Sequence, residues 1–297
     1  MTLELFLQNL ANGIAVGSLY ALIAVGYTMV YGILRLINFA HGDIFMMAAY
    51  FTFFGVAVFH LPWYFSCIFV VVLTAGLGML IERVAYRPLR DAPKDSILVS
   101  AIGVSFLLEN LATYLFSGKP KAFPDFLGLM STIALGTVSI QKVALVVPFV
   151  LIICMTILLF VINKTKLGMA MRAVSKDYEI ARVMGININL VIAATFGIGS
   201  GLAAVGVILW GMKYPQVSPL MGVMPGLKCF IAAVIGGIGN IKGAVLGGFI
   251  LGLIEVMLVA FFQPLTGYRD AFAFILLILI LLVKPTGLIG EKITEKV

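Results

Sequence analysis

The stretch Val143–Asn163, VALVVPFVLIICMTILLFVIN, runs without a charge, and Lys164–Arg182, KTKLGMAMRAVSKDYEIAR, which follows at once, carries seven. About 20 apolar residues are what an α-helix needs to cross the ~30 Å hydrocarbon core of a bilayer. The first segment therefore reads as a membrane crossing and the second as a loop in water. Working outward, the same alternation fills the chain. Charge is absent from Leu5 to Leu34, from Ile44 to Ile81 and from Val183 to Met212, while Glu82–Asp95 holds seven more charges. Of 297 residues, 62% are hydrophobic and 11% charged, against about a quarter charged in soluble domains. This composition excludes a soluble enzyme, a disordered tail and a disulfide scaffold.

The uncharged run 44–81 is too long for one crossing and is split at His60-Leu61-Pro62-Trp63, a turn with a proline and an interfacial aromatic. Spans are expected at about 7–33, 43–60, 63–82, 96–116, 142–162, 190–210 and 268–283, with a Gly-interrupted region at 226–262. Arg83, Arg87, Arg90 and Lys94 in one loop and Lys164, Lys166, Arg172, Lys176 and Arg182 in the other place both loops in the cytoplasm by the positive-inside rule. Two crossings separate them, as that assignment requires. The N-terminus then lies outside. Lys284, Lys292 and Lys296 put the C-terminus inside, so the number of passes is odd. Region 226–262 must pass twice, as a short descending half ending near Gly239–Lys242 and a full ascending helix 243–262. The fold class is an all-α polytopic bundle of about eight transmembrane helices plus half-helix or re-entrant segments, one domain over 1–297.

The ends and the minor residue types fit this frame. Met1–Gln8 has no Lys or Arg, hence no basic region of a cleaved signal peptide, and the first apolar segment is expected to stay. The net charge of +7 belongs to orientation in the membrane, with no nucleic-acid partner implied. Cys67, Cys154 and Cys229 sit in apolar runs without C-x-x-C spacing and read as packing residues, with no metal site or cofactor.

Gly226–Ile238 is too short to span as a helix, and irregular backbone at membrane depth is tolerated only where protein buries it or where it lines a cavity. Leu36–Tyr50, its apolar pattern interrupted by Asn38-Phe39-Ala40-His41-Gly42-Asp43, is a possible counterpart running the opposite way, as inverted repeats do; duplication and chance likeness of small-residue helices both remain open. Gly239, Gly243, Gly247, Gly248 and Gly252, with Gly13, Gly17 and Ser200, form small-residue stripes of the kind that let helix backbones approach. An intramembrane acid costs at least ~2.5 kcal/mol, so Glu109 and Glu255 must face inward. Glu255 shares a face with Gly248 and Gly252, and Glu109 with Ser105 and Thr113. Each either lines a substrate path or makes an interhelical hydrogen bond. His41 reads as a structural hydrogen-bonding residue before a proton relay. Asn38, His41, Asp43, Glu109, Lys228 and Glu255 are the candidate lining of a translocation path.

The loop Asn163–Leu190 reads as carrying a short surface helix. Ser175 is the expected N-cap, Asp177 and Glu179 lie in the first turn, and Gly185 ends it. Ile180, Val183 and Met184 make an apolar ridge suited to a partner's groove or to a lipid surface. Arg172-Ala173-Val174-Ser175, Asp177, Glu179, Ala181 and Met184-Gly185-Ile186 resemble the coupling loop of ATP-binding-cassette (ABC) importer permeases. In detail the match is to the branched-chain amino acid permeases, the high-affinity Leu/Ile/Val uptake family. Ile37–Asp43 and the blocks Gly226-Leu227-Lys228, Ala232–Gly239 and Gly243-Ala244 are similar to the same family. Glu179-Ile180-Ala181 departs from the Glu-Ala-Ala of many permeases, while Ala181 and Gly185 keep the A-x-x-x-G spacing.

The resemblance implies a transport subunit in a bacterial inner membrane with its coupling loop at about 163–189. It also implies a second homologous permease, two cytoplasmic ATPase subunits docked on the coupling loops, and a periplasmic substrate-binding protein. The sequence holds no G-x-x-x-x-G-K-[ST] phosphate loop, since Gly118-Lys119 is followed by Pro120, so no ATPase site of its own is expected. Rival readings are a permease for urea, short amides or other amino acids, and a secondary transporter driven by protons through Glu109, Glu255 or His41. No Ser/His, paired-Asp or H-E-x-x-H arrangement supports an intramembrane enzyme.

Overall fold

Residues 3–34 form a single helix, α1 (Leu3–Leu34), and the rest of the chain is arranged around it. The computed structural model describes residues 3–135 and 138–290; Lys292 and Lys296, two of the three lysines that place the C-terminus, lie outside them. The other helices are α2 (His41–Phe53), extended by a π-helical turn to Val58, α3 (Trp63–Ile81), α4 (Lys94–Phe116), α5 (Lys142–Lys164), α6 (Lys166–Lys176), α7 (Tyr178–Val183), α8 (Ile188–Lys213), α9 (Val223–Gly236), α10 (Ile241–Phe261) and α11 (Arg269–Val283). Among the described residues eight helical segments are long and apolar enough to cross a bilayer, and α9 is a shorter apolar helix. Fourteen residues at 1.5 Å each give α9 roughly 21 Å, too short to span alone.

Burial sorts the helices into an inner and an outer set. Helix α1, the start of α2, α8 and α9 are enclosed, whereas α3, α4, α5 and α11 present broad exposed apolar faces. Those faces carry residues such as Phe106, Phe160 and Leu282, as lipid contact requires.

The glycine stripe of α10 serves two neighbours, which is why it is double. Gly248 and Gly252 meet α1: a Cβ on Gly248 would lie 2.6 Å from the Ala21 nitrogen, and one on Gly252 would overlap the Gly17 backbone. Gly243 and Gly247 meet α9 at Gly236 and Ala232. Gly239 is not part of a helix; it sits in the α9–α10 turn at φ +96°, a left-handed conformation that glycine adopts without strain. Asn240 then caps α10, accepting from the Gly243 amide at 3.1 Å. Ser200 packs its hydroxymethyl group on Gly78 of α3.

Contacts group the connections by end. At the end holding the start of α1, Gln8 donates to the Ser139 carbonyl, and two small antiparallel ribbons form, Lys121–Ala122 with Gln216–Val217 and Thr132–Leu135 with Val138–Gln141. These ribbons are absent from the all-α expectation, because strands of two to four residues leave little periodicity to read. At the other end, Gly32 of α1 meets Gly239, Leu288 donates its amide to Ile235, and the two charged loops touch where Arg90 reaches the Asn189 carboxamide at 2.7 Å. Both charged loops thus share one end of the bundle.

Candidate functional site

The chain turns back into the bundle after α1. Helix α1 continues to Leu34, yet His41, the first residue of α2, packs against Gly26, two turns earlier, with its ring edge-on to Tyr27 at 4.5 Å. Residues 35–40 therefore descend without regular structure to about mid-depth. There Gly42 meets the start of α9: a Cβ on Gly42 would lie 2.6 Å from the Gly222 carbonyl, and one on Gly226 2.9 Å from the Gly42 Cα. From this meeting point α2 runs to the end where Lys121 sits over Phe53, and α9 to the opposite end, at Gly236 and Leu288. Two helix N-termini with positive dipole ends converge in the interior, and Asp43 in the first turn of α2 answers that field. Its carboxylate accepts from the Ser105 hydroxyl at 2.5 Å. The preceding loop is held by Asn38, whose carboxamide oxygen accepts from the Tyr86 hydroxyl at 2.7 Å.

Two cavities flank the first turns of α9. One of about 210 Å³ is lined by Tyr27, Phe39, Asp43, Ser105, Glu109 and Phe230, with Gly222 and Gly226 as its glycine wall. The other, about 330 Å³, lies toward the end that holds the start of α1; its wall includes Tyr20, Trp210, Tyr214, Lys228, Arg269 and Asp270. Gly226, Leu227 and Phe230 of α9 face the first, while Met224, Pro225 and Lys228 face the second, so one half-helix separates them.

Four charges meet beside the larger cavity. Lys228 Nζ lies 2.8 Å from Glu255 Oε1 and 2.6 Å from Asp270 Oδ1, and Arg269 Nε lies 2.7 Å from Glu255 Oε1. The Tyr20 hydroxyl donates to Glu255 Oε2 at 2.8 Å. Lys228 and Glu255 are buried, whereas Arg269 and Asp270 are 45% and 43% exposed. The set is neutral, and it ties α1, α9, α10 and α11 together.

The charged loop after α5 folds as two helices. In α6, Met171 and Val174 point inward, and Ser175 lies within the helix with its hydroxyl donating to the Arg172 carbonyl at 2.9 Å. Ser175 is therefore not the N-cap expected from sequence. Asp177, in extended conformation, takes that role for α7 and accepts from the amides of Glu179 at 3.1 Å and Ile180 at 3.0 Å. Gly185 closes α7 at φ +80°, as its spacing implied. Ala181 is buried, Glu179 is exposed, and Ile180, Val183 and Met184 are exposed at 59%, 87% and 76%. Arg172 reaches back to the Ile162 carbonyl, closing α6 onto the end of α5.

Of the six candidate path residues, Asp43 and Glu109 line the smaller cavity and Lys228 the larger. Asn38 and Glu255 are buried and hydrogen-bonded beside them, and His41 is buried in packing against Gly26 and Tyr27. Sequence reasoning missed Arg269 and Asp270, which lie at the head of the span expected at 268–283. Their adjacency, one base beside one acid before an apolar run, was the available signal. It also missed the Glu82–Arg90 ion pair, in which Glu82 is buried.

Residues 9–281 match the family model described as branched-chain amino acid transport system / permease component. The chain is 42% identical over 307 residues to the high-affinity branched-chain amino acid transport system permease protein BraD of Pseudomonas aeruginosa, covering 98% of each chain. It is 40% identical over 306 residues to LivH of Escherichia coli K12, again covering 98% of each. To the probable branched-chain amino acid transport permease protein LivH of Methanocaldococcus jannaschii it is 26% identical, covering 95% of this chain and 91% of that one. A multi-pass membrane bundle matched across nearly its whole length, the chain belongs to the branched-chain amino acid transport system permease family.

Proposed function

We propose that this chain is a pore-forming subunit of an ABC importer for branched-chain, hydrophobic amino acids in a bacterial inner membrane. It works with a second homologous permease, two cytoplasmic ATPases and a periplasmic binding protein. The observation that carries the reading is α7, a capped helix with its apolar ridge Ile180, Val183 and Met184 in solvent at the end where both charged loops gather. A soluble surface rarely leaves such a ridge uncovered, and a groove on an ATPase is the occupant that suits it. The names of BraD and LivH support the substrate class.

A physical route joins this loop to the interior. Asn189, at the start of α8, holds Arg90; Arg90 pairs with Glu82; Tyr86, one turn on, holds Asn38 at the break before α2. Movement of α7 with its partner is thereby passed to the convergence of α2 and α9. The half-helix α9, with a cavity on each side, is the element whose displacement would open one side and close the other, the geometry alternating access needs.

Replacing Val183 and Met184 with Asp tests the coupling. Both are exposed, so the bundle is expected to accumulate normally, while ATPase subunits no longer co-purify and leucine uptake into cells falls at least about tenfold. Wild-type co-purification and uptake in this double variant would refute the coupling role of α7.

A further inference from the structure

The larger cavity is lined by part of the ion-pair network that joins α1, α9, α10 and α11. A buried ion pair contributes little net stability, because desolvating two charges offsets their attraction. Within a membrane an ionisable residue is costlier still and is kept where something uses it. Here Lys228 is shared between Glu255, which is buried, and Asp270, which is half exposed; Lys228, Asp270 and Arg269 all line the cavity. Glu255 is already satisfied by Arg269 and Tyr20. The contact between Lys228 and Asp270 can thus open without leaving a buried acid unpaired.

We propose that this cavity is a receiving site for a free zwitterionic amino acid, which enters by exchanging partners with the Lys228–Asp270 pair. The carboxylate takes the Lys228 ammonium with Arg269 beside it, and the ammonium of the amino acid takes the Asp270 carboxylate. The exchange moves no net charge into the bundle. An anion alone would add a net negative charge and leave Asp270 unpaired, a cation alone would add a net positive charge beside Lys228 and Arg269, and a neutral sugar has no charge with which to open the pair. Beside the polar Gln216 and Ser218, the wall has an aromatic and thioether part that suits an aliphatic side chain. Tyr20, Trp210 and Tyr214 form a tilted aromatic series with centroids 6.0 and 4.9 Å apart, and Met221 and Met224 face them. A volume of about 330 Å³ lies at the small end of ligand pockets, which start near ~300 Å³. The cavity lies on the α1 N-terminal side of α9, the side on which the proposed orientation places the binding protein.

The site rests on the amino acid reading above, and the test separates the two. In the assembled transporter in lipid nanodiscs, without binding protein, L-leucine is titrated while the emission of Trp210 is followed as the difference from a Trp210→Phe variant. Two probes each lack one charge: 4-methylpentanoate has no ammonium, and leucinol has no carboxylate. L-leucine is expected to perturb Trp210 at concentrations about tenfold below either probe, the size of one charge-assisted hydrogen bond. Asp270→Asn, which leaves both contacts of Glu255 in place, is expected to weaken leucine about tenfold and bring it level with 4-methylpentanoate. Equal response to leucine and both probes, or an unchanged titration in Asp270→Asn, overturns the site. Leucine uptake through the binding protein together with a silent Trp210 overturns the site and leaves the function standing. A transporter that imports no branched-chain amino acid but whose Trp210 still reports L-glutamine with the same charge dependence overturns the substrate and keeps the site.

Discussion

Gly248 owes its identity to a distance that no local rule supplies. Its spacing from Gly252 marks a helix that wants close neighbours, and that much is legible from a list of glycines. Which helix approaches, and on which side, is decided by tertiary packing alone: α1 takes Gly248 and Gly252, while α9 takes Gly243 and Gly247. The same list includes Gly103 on α4, around which an added Cβ would meet nothing within 4 Å. Gly248→Val and Gly103→Val should therefore part company. The first pushes a side chain into the Ala21 backbone, and overpacking of this kind costs about 1–3 kcal/mol or more. The second removes a glycine from an exposed helix face, where it contributes no packing. Thermal unfolding of the purified protein in detergent is expected to show a clear loss of stability for Gly248→Val and little change for Gly103→Val. Equal losses would mean that the α1–α10 contact is not the tight interface described.

Among the elements, α7 shows both what pattern gives and where it stops. Glu179 in the first turn, the ridge and the terminal glycine were readable because each follows from helix geometry and the macrodipole, whereas Asp177, expected in that turn, is the cap. The cap was not, because Ser175 and Asp177 are both good N-caps two residues apart. The choice is made by α6, whose Met171 and Val174 are buried and draw the helix through Ser175 to Lys176. Asp177 is then the first residue free to adopt an extended backbone, φ −154° and ψ 113°. A helix of six residues is below the length that forms on its own, so α7 depends on this cap and on Ala181 beneath it. Asp177→Ala is expected to cost about 1 kcal/mol locally. Hydrogen exchange should speed several-fold across residues 180–184 while α8 stays protected. Unchanged exchange there would show that α7 is held by other contacts.

For the molecule as a whole, charge sparsity made the number of crossings and the half-helix legible, because hydrocarbon tolerates neither charge nor unpaired backbone. The convergence of α2 on α9 was only hinted at by Asn38–Asp43, and the cavities were not legible at all. The larger one depends on Asp270 meeting Lys228 across 42 positions of sequence and on Arg269 meeting Glu255 across 14. The structure groups the connections into two ends, and the positive-inside rule assigns a compartment to each. By that rule the end with Arg83, Arg87, Lys166 and Lys176 is expected to face the cytoplasm, and the end with residues 117–122 and 262–268 to face out. In a background with Cys67, Cys154 and Cys229 replaced by Ala, single cysteines at Lys119 and Lys176 read this assignment directly. Both positions are exposed or half-exposed and lie at opposite ends of the bundle. In intact spheroplasts a membrane-impermeant maleimide is expected to label Lys119→Cys fully and Lys176→Cys only after permeabilisation. The reverse pattern would invert the orientation and place α7 on the side away from any ATPase, and with it the proposed coupling would fall.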